Sequence, residues 1–310
     1  MKKIIKNLTF KIINLLNITN ISFKYITKAK KVVFMFHDVS DNPKEFYLDH
    51  NLNLSIINFE NQLKFIKDNF KILSPYEIVN YNGADPAACV TFDDGSFTYY
   101  SNAKNILLDL NIPSINFLNY SQIHGKFFIP GLISYIMKYE SDFINFLSIK
   151  DVQTFDYKKI IKLKKDKLKN IKKNLIDYHG HFLNHEQIIE MDNLKLFFWG
   201  NHLFKHLNAM NITDKQLVYE YLKNDFFLQK LKNNTGFFSY PFGQINTSYN
   251  AHTNETLKEY SNIIFTANPL DLKNYSNIYP RVGLNNQMAN MNDIKNHFIA
   301  IKIKNLLNNI

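Results

Sequence analysis

Two neighbouring carboxylates, Asp93 and Asp94, follow an apolar run at residues 87–90 that is typical of a buried strand. Side chains next to each other on an extended backbone point to opposite sides, but a sharp turn at Gly95 can aim both carboxylates into one cleft. A metal ion bound to one carboxylate would leave the other free to act as a base. The same residues are also good turn formers after any strand, so this motif alone leaves both interpretations open.

A pair of histidines, His202 and His206, has the i, i+4 spacing that puts two imidazoles on one face of a helical turn, with Cβ atoms about 5–6 Å apart. Metal-binding histidine pairs use this spacing, although such a pair is more often an ordinary surface or core feature. The pair follows a predicted strand at residues 194–199, and sites in α/β barrels assemble at the carboxyl ends of strands. With Asp94 it offers three protein ligands and leaves positions open for water, which suits catalysis.

Predicted strands and helices alternate along the chain, which indicates a parallel α/β sheet or barrel. A helix is indicated by apolar residues at helical spacing from Phe59 to Ile66, and two helix starts by capping patterns at Ser74 and Thr213. The alternation is lost over residues 121–182, which we interpret as a helical insertion. Further strands are predicted near residues 32–36, 70–73, 115–118, 237–240, 263–266 and 280–282, and further helices near 102–110, 185–191, 255–260 and the end of the chain.

The composition sets limits on the class of protein. The chain has 310 residues, 45% of them hydrophobic, which allows one large domain or two small ones with a substantial core. Its formal net charge is +10, but no zinc finger, helix-turn-helix or RRM signature is present, so a nucleic-acid-binding role rests on charge alone and no nucleic-acid partner is predicted. A basic surface equally suits an acidic glycan or anionic lipid headgroups. Cys89 is the only cysteine, which excludes a disulfide framework.

Residues 1–30 form a basic, partly apolar N-terminal extension, and residues 31–310 are interpreted as a single domain. The apolar run of the extension is broken by Asn14, Asn17 and Asn20 and is followed by no small-residue cleavage site, so it is a poor signal peptide. No segment reaches the ~18 apolar residues of a transmembrane helix. We therefore expect a cytoplasmic protein whose extension either makes a peripheral contact with the inner membrane face or packs on the domain as an ordinary basic helix.

Five short motifs together give the chain a resemblance to a known family. These motifs are Met35–Val39, Thr91–Gly95, Gly200–His206, Phe238–Gly243 and Tyr279–Val282. With them the chain resembles the polysaccharide deacetylases with NodB homology, which are metal-dependent carbohydrate esterases, over about residues 31–284. The histidine motif has Asn201 where serine is usual and Leu207 where proline is common.

This resemblance implies a deformed (β/α) barrel of about seven parallel strands. It also implies that Asp94, His202 and His206 hold a divalent metal, for which zinc is the first expectation. Asp93 would then be the general base that activates the attacking water. The oxyanion would be stabilised by the metal and by the backbone N–H of Phe242.

Two departures from the family pattern affect the predicted mechanism. Ser239 stands where the family has an arginine that orients the base. The late Leu-x-His motif, which supplies the general acid, has no convincing match. His37 and His297 are the candidates for that acid, although either histidine has an ordinary structural interpretation as well.

Arg281 is the only arginine in a chain with 37 basic residues, which indicates that this position needs a guanidinium rather than a simple charge. A guanidinium can bind a carboxylate with two parallel hydrogen bonds. Because the usual partner of Asp93 is replaced by Ser239, we predict that Arg281 reaches across the barrel mouth and orients Asp93. The alternative is an ordinary exposed basic residue.

The sequence therefore predicts a hydrolase that removes the acetyl group from an N-acetylated sugar in a surface polysaccharide or a lipid-linked glycan precursor. The alternative is a catalytically weakened relative that binds glycan without turning it over, which the two departures motivate. Trp199 is predicted to be a core residue. The histidines at positions 179, 181 and 185 are predicted to lie on the surface.

Overall fold

Parallel strands dominate the computed structural model, which describes residues 31–140, 142–144, 150–153, 159, 165–267, 277–286 and 288. The predicted N-terminal extension, the closing helix and His297 lie outside these residues. In chain order the strands are β1 (Lys31–Phe36), β2 (Asp38–Val39), β3 (Asn53–Leu54), β4 (Lys71–Ile72), β5 (Ala87–Asp93), β6 (Ser114–Leu118), β7 (Phe197–Asn201), β8 (Asn234–Ser239), β9 (Ile264–Thr266) and β10 (Ile278–Gly283).

Seven of these strands close into a barrel within the described part of the chain. The order around the barrel is β1, β5, β6, β7, β8, β9 and β10, and every neighbouring pair is parallel. The ring closes at β1, where Val33 lies opposite both Cys89 and Arg281. The short β4 pairs beside β5, and β2 and β3 form a separate two-stranded sheet. The predicted barrel of seven parallel strands is confirmed.

Helices follow most of the strands and cover the outside of the barrel. In chain order the helices are α1 (Glu45–Asp49), α2 (Ile56–Asn69), α3 (Pro75–Asn80), α4 (Lys104–Asp109), α5 (Tyr120–Ile123), α6 (Ile129–Tyr139), α7 (Lys165–His179), α8 (His185–Asp192), α9 (Asp214–Leu228) and α10 (Ala251–Leu257). A π-helical turn at Tyr99–Ala103 precedes α4, and a 3₁₀ turn at Ala209–Asn211 precedes α9.

The apolar core has an inner and an outer layer because side chains alternate along each strand. Cys89, Ile115 and Phe117 belong to one buried cluster, whereas the next residue of β5, Val90, belongs to another cluster with helix residues. Trp199 is fully buried in that second cluster, as predicted, and its indole N–H donates to Asp192 Oδ1 at 3.0 Å.

Two predicted elements are displaced along the chain. The strand predicted at residues 194–199 is β7 at Phe197–Asn201, because Leu194 still belongs to the turn that ends α8. The helix predicted at 255–260 is α10, which begins four residues earlier because Asn250 and Thr253 form a capping box.

The described residues of the predicted insertion are mainly helical. Helices α6 and α7 share an apolar cluster with Phe46 and Tyr47 of α1. The prediction that His179 lies on the surface is wrong: this residue is 7% exposed, packed against Phe128 and Gly131. Burial accordingly lowers the pKa of His179 to about 4.

The described helices are all too short or too polar to cross a membrane. The predicted cytoplasmic location and the single-domain division of residues 31–310 stay predictions.

Candidate active site

The two carboxylates at the end of β5 face the same space because the chain turns sharply behind them. Asp94 and Gly95 both have left-handed backbone conformations, with φ of 69° and 68°. A Cβ at position 95 would come within 2.8 Å of Leu118 Cδ2, so the turn needs glycine for space as well as for conformation. As a result, His202 Nε2 lies 3.9 Å from Asp93 Oδ2 and 3.7 Å from Asp94 Oδ1. The predicted convergence of both carboxylates is confirmed.

The two histidines come together through a loop rather than through the helical turn that their spacing predicts. Leu203 and His206 have φ of 59° and 56°, so the segment after β7 is an irregular turn. The imidazole centres of His202 and His206 are 4.8 Å apart and their planes are inclined by 78°. Non-glycine residues in this conformation are strained, and such strain is common at functional sites.

Asp94, His202 and His206 form a buried group whose ligand atoms all lie within 4.8 Å of one another. Asp94 Oδ1 is 3.1 Å from His206 Nε2, and within the described residues it has no hydrogen-bond donor. Two ligands about 2.0–2.2 Å from a tetrahedral zinc ion would be roughly 3.3–3.6 Å apart. A buried, unpaired carboxylate oxygen facing two imidazole nitrogens at this spacing fits a bound cation.

The protonation of this group also suits metal binding. His202 Nδ1 donates to the backbone oxygen of Ser239 at 2.7 Å, which directs its Nε2 toward Asp94. Burial lowers the pKa of His202 to about 4, so the imidazole is neutral near pH 7. Burial opposes ionisation of Asp94, but its interactions with His206, His202 and His37 together outweigh burial and lower the pKa of that carboxyl.

Arg281 holds Asp93 through two parallel hydrogen bonds of 2.6 and 2.7 Å. The same guanidinium donates to Ser239 Oγ at 2.7 Å and to Thr91 Oγ1 at 3.3 Å. Arg281 is 1% exposed, so the alternative of an exposed basic residue is wrong and the predicted contact is confirmed. Burial tends to raise the pKa of Asp93, but the charge and hydrogen bonds of Arg281, together with the nearby His202 and His37, outweigh burial and lower this pKa. Asp93 is therefore ionised at neutral pH.

His37 lies at the edge of this group, where β1 ends. Its Nε2 is 3.8 Å from Asp93 Oδ2, and its side chain is 15% exposed against 2% for His202. The neighbouring Asp38 is buried and accepts a hydrogen bond of 2.7 Å from Thr98 Oγ1. His37 is thus the more solvent-accessible of these two histidines beside Asp93.

Phe242 lies beside His206, in the loop after β8. Its backbone is left-handed, with φ of 61°, and its ring centre is 4.9 Å from that of His206. Beside it is a small recess lined by His206, Phe242 and apolar residues of α6, among them Ile129 and Ile133. The insertion therefore contributes one wall of the space next to the ligand group.

A family model for polysaccharide deacetylases matches residues 80–260, which is more than half of the chain. The chain belongs to the polysaccharide deacetylase family. It is accordingly a hydrolase that removes acetyl groups. The matched range contains the turn at residues 93–95, which carries both carboxylates, and the loop at residues 202–206, which we call the histidine loop. It contains neither His37 nor Arg281. No curated protein sequence matches this deacetylase.

Solved structures of deacetylases share the fold of this chain. The deacetylase PplD of Streptococcus pyogenes, solved with acetate, has a TM-score of 0.57 at 18% identity, covering 86% of this chain and 96% of PplD. IcaB from Ammonifex degensii has the same TM-score and identity over 87% and 97% of the two chains. A de-N-acetylase from Aggregatibacter actinomycetemcomitans has a TM-score of 0.56 at 16% identity over 86% and 98%. At these identities the likeness establishes the barrel fold alone.

Buried amide side chains hold both ligand-bearing segments of the deacetylase in place. Asn119 Nδ2 donates to the backbone oxygen of Leu203 at 2.8 Å and to that of His202. Gln122 Nε2 donates to the backbone oxygen of Asp94 at 3.0 Å and to Asn119 Oδ1 at 3.3 Å. One connected set of hydrogen bonds therefore fixes the backbone of two of the three candidate ligands.

A second pair of amides extends this set to helix α9. Asn201 Oδ1 accepts from the N–H of Leu203 at 3.0 Å and from Asn224 Nδ2 at 2.9 Å. Asn224 also donates to the backbone oxygen of Leu118 at 2.7 Å and accepts from the N–H of Tyr120 at 2.8 Å. We call these four side chains the amide network: Asn119, Gln122, Asn201 and Asn224. Sequence analysis missed their role, although a buried asparagine on the inner face of a helix is a usable signal.

Replacing Asn224 by leucine is expected to weaken metal binding by about 10–100-fold, which is typical for loss of a residue that positions ligands. The leucine fills similar space but leaves Asn201, Leu118 and the N–H of Tyr120 without this partner. Zinc affinity measured by chelator competition, together with thermal unfolding, tests this. Asn233→Leu is the matched control, because Asn233 makes comparable hydrogen bonds to Asp192 and Leu194 away from the ligands. Equal zinc affinity in both variants would contradict the prediction.

Replacing Arg281 by lysine is expected to lower deacetylation about ten-fold or more while folding and metal content stay unchanged. Lysine keeps the positive charge but cannot form the two parallel hydrogen bonds to Asp93, and one oriented charged hydrogen bond is worth ~1.5–3 kcal/mol. The measurement is turnover at saturating substrate, with metal content determined on the same sample. Wild-type turnover in this variant would show that the pair does not orient the base.

Proposed function

We propose that the protein is a metal-dependent deacetylase acting on an N-acetylated sugar of a surface polysaccharide or of its lipid-linked precursor. The observation that carries this proposal is the buried group of Asp94, His202 and His206 next to a carboxylate held by Arg281. The group can bind a cation, and the carboxylate can take a proton beside it. These are the two elements that metal-assisted hydrolysis of an amide requires.

Asp94, His202 and His206 would hold the divalent metal, and we propose zinc because one carboxylate and two imidazoles match its usual catalytic ligands. When bound, the ion would supply Lewis acidity that lowers the pKa of water and polarises the acetyl carbonyl. The remaining steps belong to side chains of this protein.

Asp93 is proposed to take the proton from the attacking water. Arg281 donates one hydrogen bond to each carboxylate oxygen of Asp93, and each of these oxygens can accept a further hydrogen bond. The buried guanidinium keeps Asp93 ionised and fixes the direction of its remaining lone pairs. Asp93 is therefore a base that needs no reorientation during the reaction.

His37 is proposed to donate the proton that the departing amine needs, and the N–H of Phe242 to stabilise the negative charge on the former carbonyl oxygen. His37 lies beside Asp93 and Phe242 beside His206, so both are next to the ligand group. The water oxygen becomes bonded to the acetyl carbon, the carbon–nitrogen bond breaks, and acetate and a free amine are the products.

The alternative of a catalytically weakened glycan-binding relative is less well supported by this geometry. One of its two motives in the sequence is the serine at position 239, where the family has an arginine; the other is the missing Leu-x-His motif. Arg281 contacts both Ser239 and Asp93, so a guanidinium is present at the base although it comes from another strand.

The experiment is to measure acetate release from an N-acetylhexosamine oligomer before and after metal removal. We expect release by the purified protein, loss of release after treatment with a chelator, and recovery when zinc is restored. Release that survives complete metal removal would contradict metal dependence. Binding of the oligomer by the metal-loaded protein without any release would favour the alternative.

A further inference from the structure

Helix α9 exposes a row of large apolar side chains that its packing on the barrel does not use. Tyr219, Leu222 and Phe226 are 53%, 45% and 60% exposed, and their i, i+3, i+7 spacing places them along one outward face. The opposite face, with Leu217 and Leu228, is buried. We call the three exposed residues the α9 stripe. Scattered exposed apolar residues are ordinary, but a continuous row on one helix indicates an interaction surface.

Lysines surround the α9 stripe on the same outward sector of the helix. Lys223 Nζ lies 5.3 Å from the ring centre of Tyr219, and Lys230 Nζ lies 4.5 Å from that of Phe226. Lys215, one turn before Tyr219, is also exposed. The ammonium groups of Lys223 and Lys230 therefore lie next to the apolar side chains rather than on a separate part of the surface.

The acidic residues of α9 have other partners. Asp214 is paired with His252 at 2.9 Å, and Asp225 accepts a hydrogen bond from Gln229. The chain as a whole carries a formal net charge of +10. A second copy of this chain would bring lysines against lysines, so charge complementarity favours an anionic occupant.

We propose that the α9 stripe docks on the surface of an anionic lipid bilayer. Aromatic and leucine side chains insert at the boundary between headgroups and acyl chains, and flanking lysines are attracted by anionic headgroups. The three apolar residues and the lysines beside them provide both contributions.

The position of α9 connects this surface with the candidate active site. The N–H groups of Phe204 and Lys205, in the histidine loop, donate to the backbone oxygen and the carboxylate of Glu220 at 3.1 and 3.0 Å. Glu220 is the neighbour of Tyr219, so docking would bring the histidine loop close to the bilayer. Presentation of a lipid-linked glycan to the site is a consequence that rests on the proposed function, whereas the docking itself does not.

The test is sedimentation of the full-length protein with vesicles of phosphatidylcholine alone or with about one-third phosphatidylglycerol. We expect binding to the anionic vesicles to be at least about ten-fold stronger, and to weaken with added salt. Leu222→Ser/Phe226→Ser should lower this binding about ten-fold or more. Lys223→Gln/Lys230→Gln should lower it several-fold for anionic vesicles only.

The matched control is Leu48→Ser/Ile57→Ser, because these residues are 58% and 59% exposed on other helices. Its vesicle binding should equal that of the wild type. Acetate release from a soluble oligomer should be unchanged in the Leu222→Ser/Phe226→Ser protein, so that failure of docking and failure of the proposed function give different results. Circular dichroism checks folding, and the lysine variant decides the question if the serine variant does not fold.

Three results would overturn the proposal. The wild type could fail to bind anionic vesicles. The serine variant could bind as well as the wild type, which would assign the contact to another segment such as residues 1–30. A wild-type dimer that the serine variant loses, with no vesicle binding, would make a second copy the occupant.

Discussion

Replacing Asp93 by asparagine is expected to lower turnover by about 10²–10⁴-fold, the usual contribution of a general base. Asparagine has nearly the same shape and can still accept a hydrogen bond from Arg281, but it cannot take a proton from water. The measurement is acetate release at saturating substrate with metal content determined on the same sample. We expect wild-type metal content, because the ligands are assigned to Asp94 and the two histidines.

The division of work between adjacent carboxylates makes this result informative. Asp93 Oδ2 lies 3.9 Å from His202 Nε2, so proximity alone does not exclude Asp93 as a ligand. Loss of metal from Asp93→Asn would assign it to the ligand set and would contradict its role as base. The variant also leaves Arg281 buried opposite a neutral side chain, so thermal unfolding should be recorded to separate a stability loss from a chemical one.

The barrel was predictable because the alternation of strands and helices is a local pattern in the sequence. The pairing of Asp93 with Arg281 was predictable because it follows from the chemistry of the two side chains. Parallel barrels alternate strands and helices, and this alternation is visible in the sequence on both sides of the insertion. The bidentate contact of Arg281 with Asp93 follows from one arginine in a lysine-rich chain and one carboxylate without its usual partner. Neither inference needs knowledge of how distant segments pack.

The conformation of the histidine loop could not be predicted, since it is imposed by tertiary contacts. The i, i+4 spacing indicates a helical turn, but Leu203 and His206 are left-handed. Asn119 and Glu220 hold the backbone of this loop from distant parts of the chain, and no local preference of the loop sequence reveals them. In an asparagine-rich chain, the position of Asn224 on the inner face of α9 is the one sequence signal of the amide network.

The burial of His179 could not be predicted from the sequence either, because it depends on one small residue, Gly131, on another helix. A Cβ at Gly131 would come 2.7 Å from His179 Cδ2, so the absence of a side chain on α6 makes the space for this imidazole. Such pairings between a glycine and a bulky residue depend on helix packing and are not encoded by spacing along the chain.

Removing any one of the three candidate ligands is expected to abolish activity through loss of metal. In Asp94→Ala, His202→Ala and His206→Ala, metal content should fall to roughly a tenth or less of the wild-type value, since a site of three protein ligands has no spare ligand. Metal analysis after exhaustive dialysis measures this. His185→Ala is the matched control, because His185 is an exposed histidine at the start of α8 and should retain full metal content.

His206 gives the sharpest test of the ligand set. Its Nδ1 is buried and has no hydrogen-bond partner within the described residues, while its ring packs against Phe128 and Phe242. A buried imidazole with so little hydrogen bonding is costly unless its other nitrogen has a strong partner, and a bound cation is such a partner. His206→Ala should therefore lose its metal. Full metal occupancy in this variant would mean that the cation site has been assigned to the wrong residues.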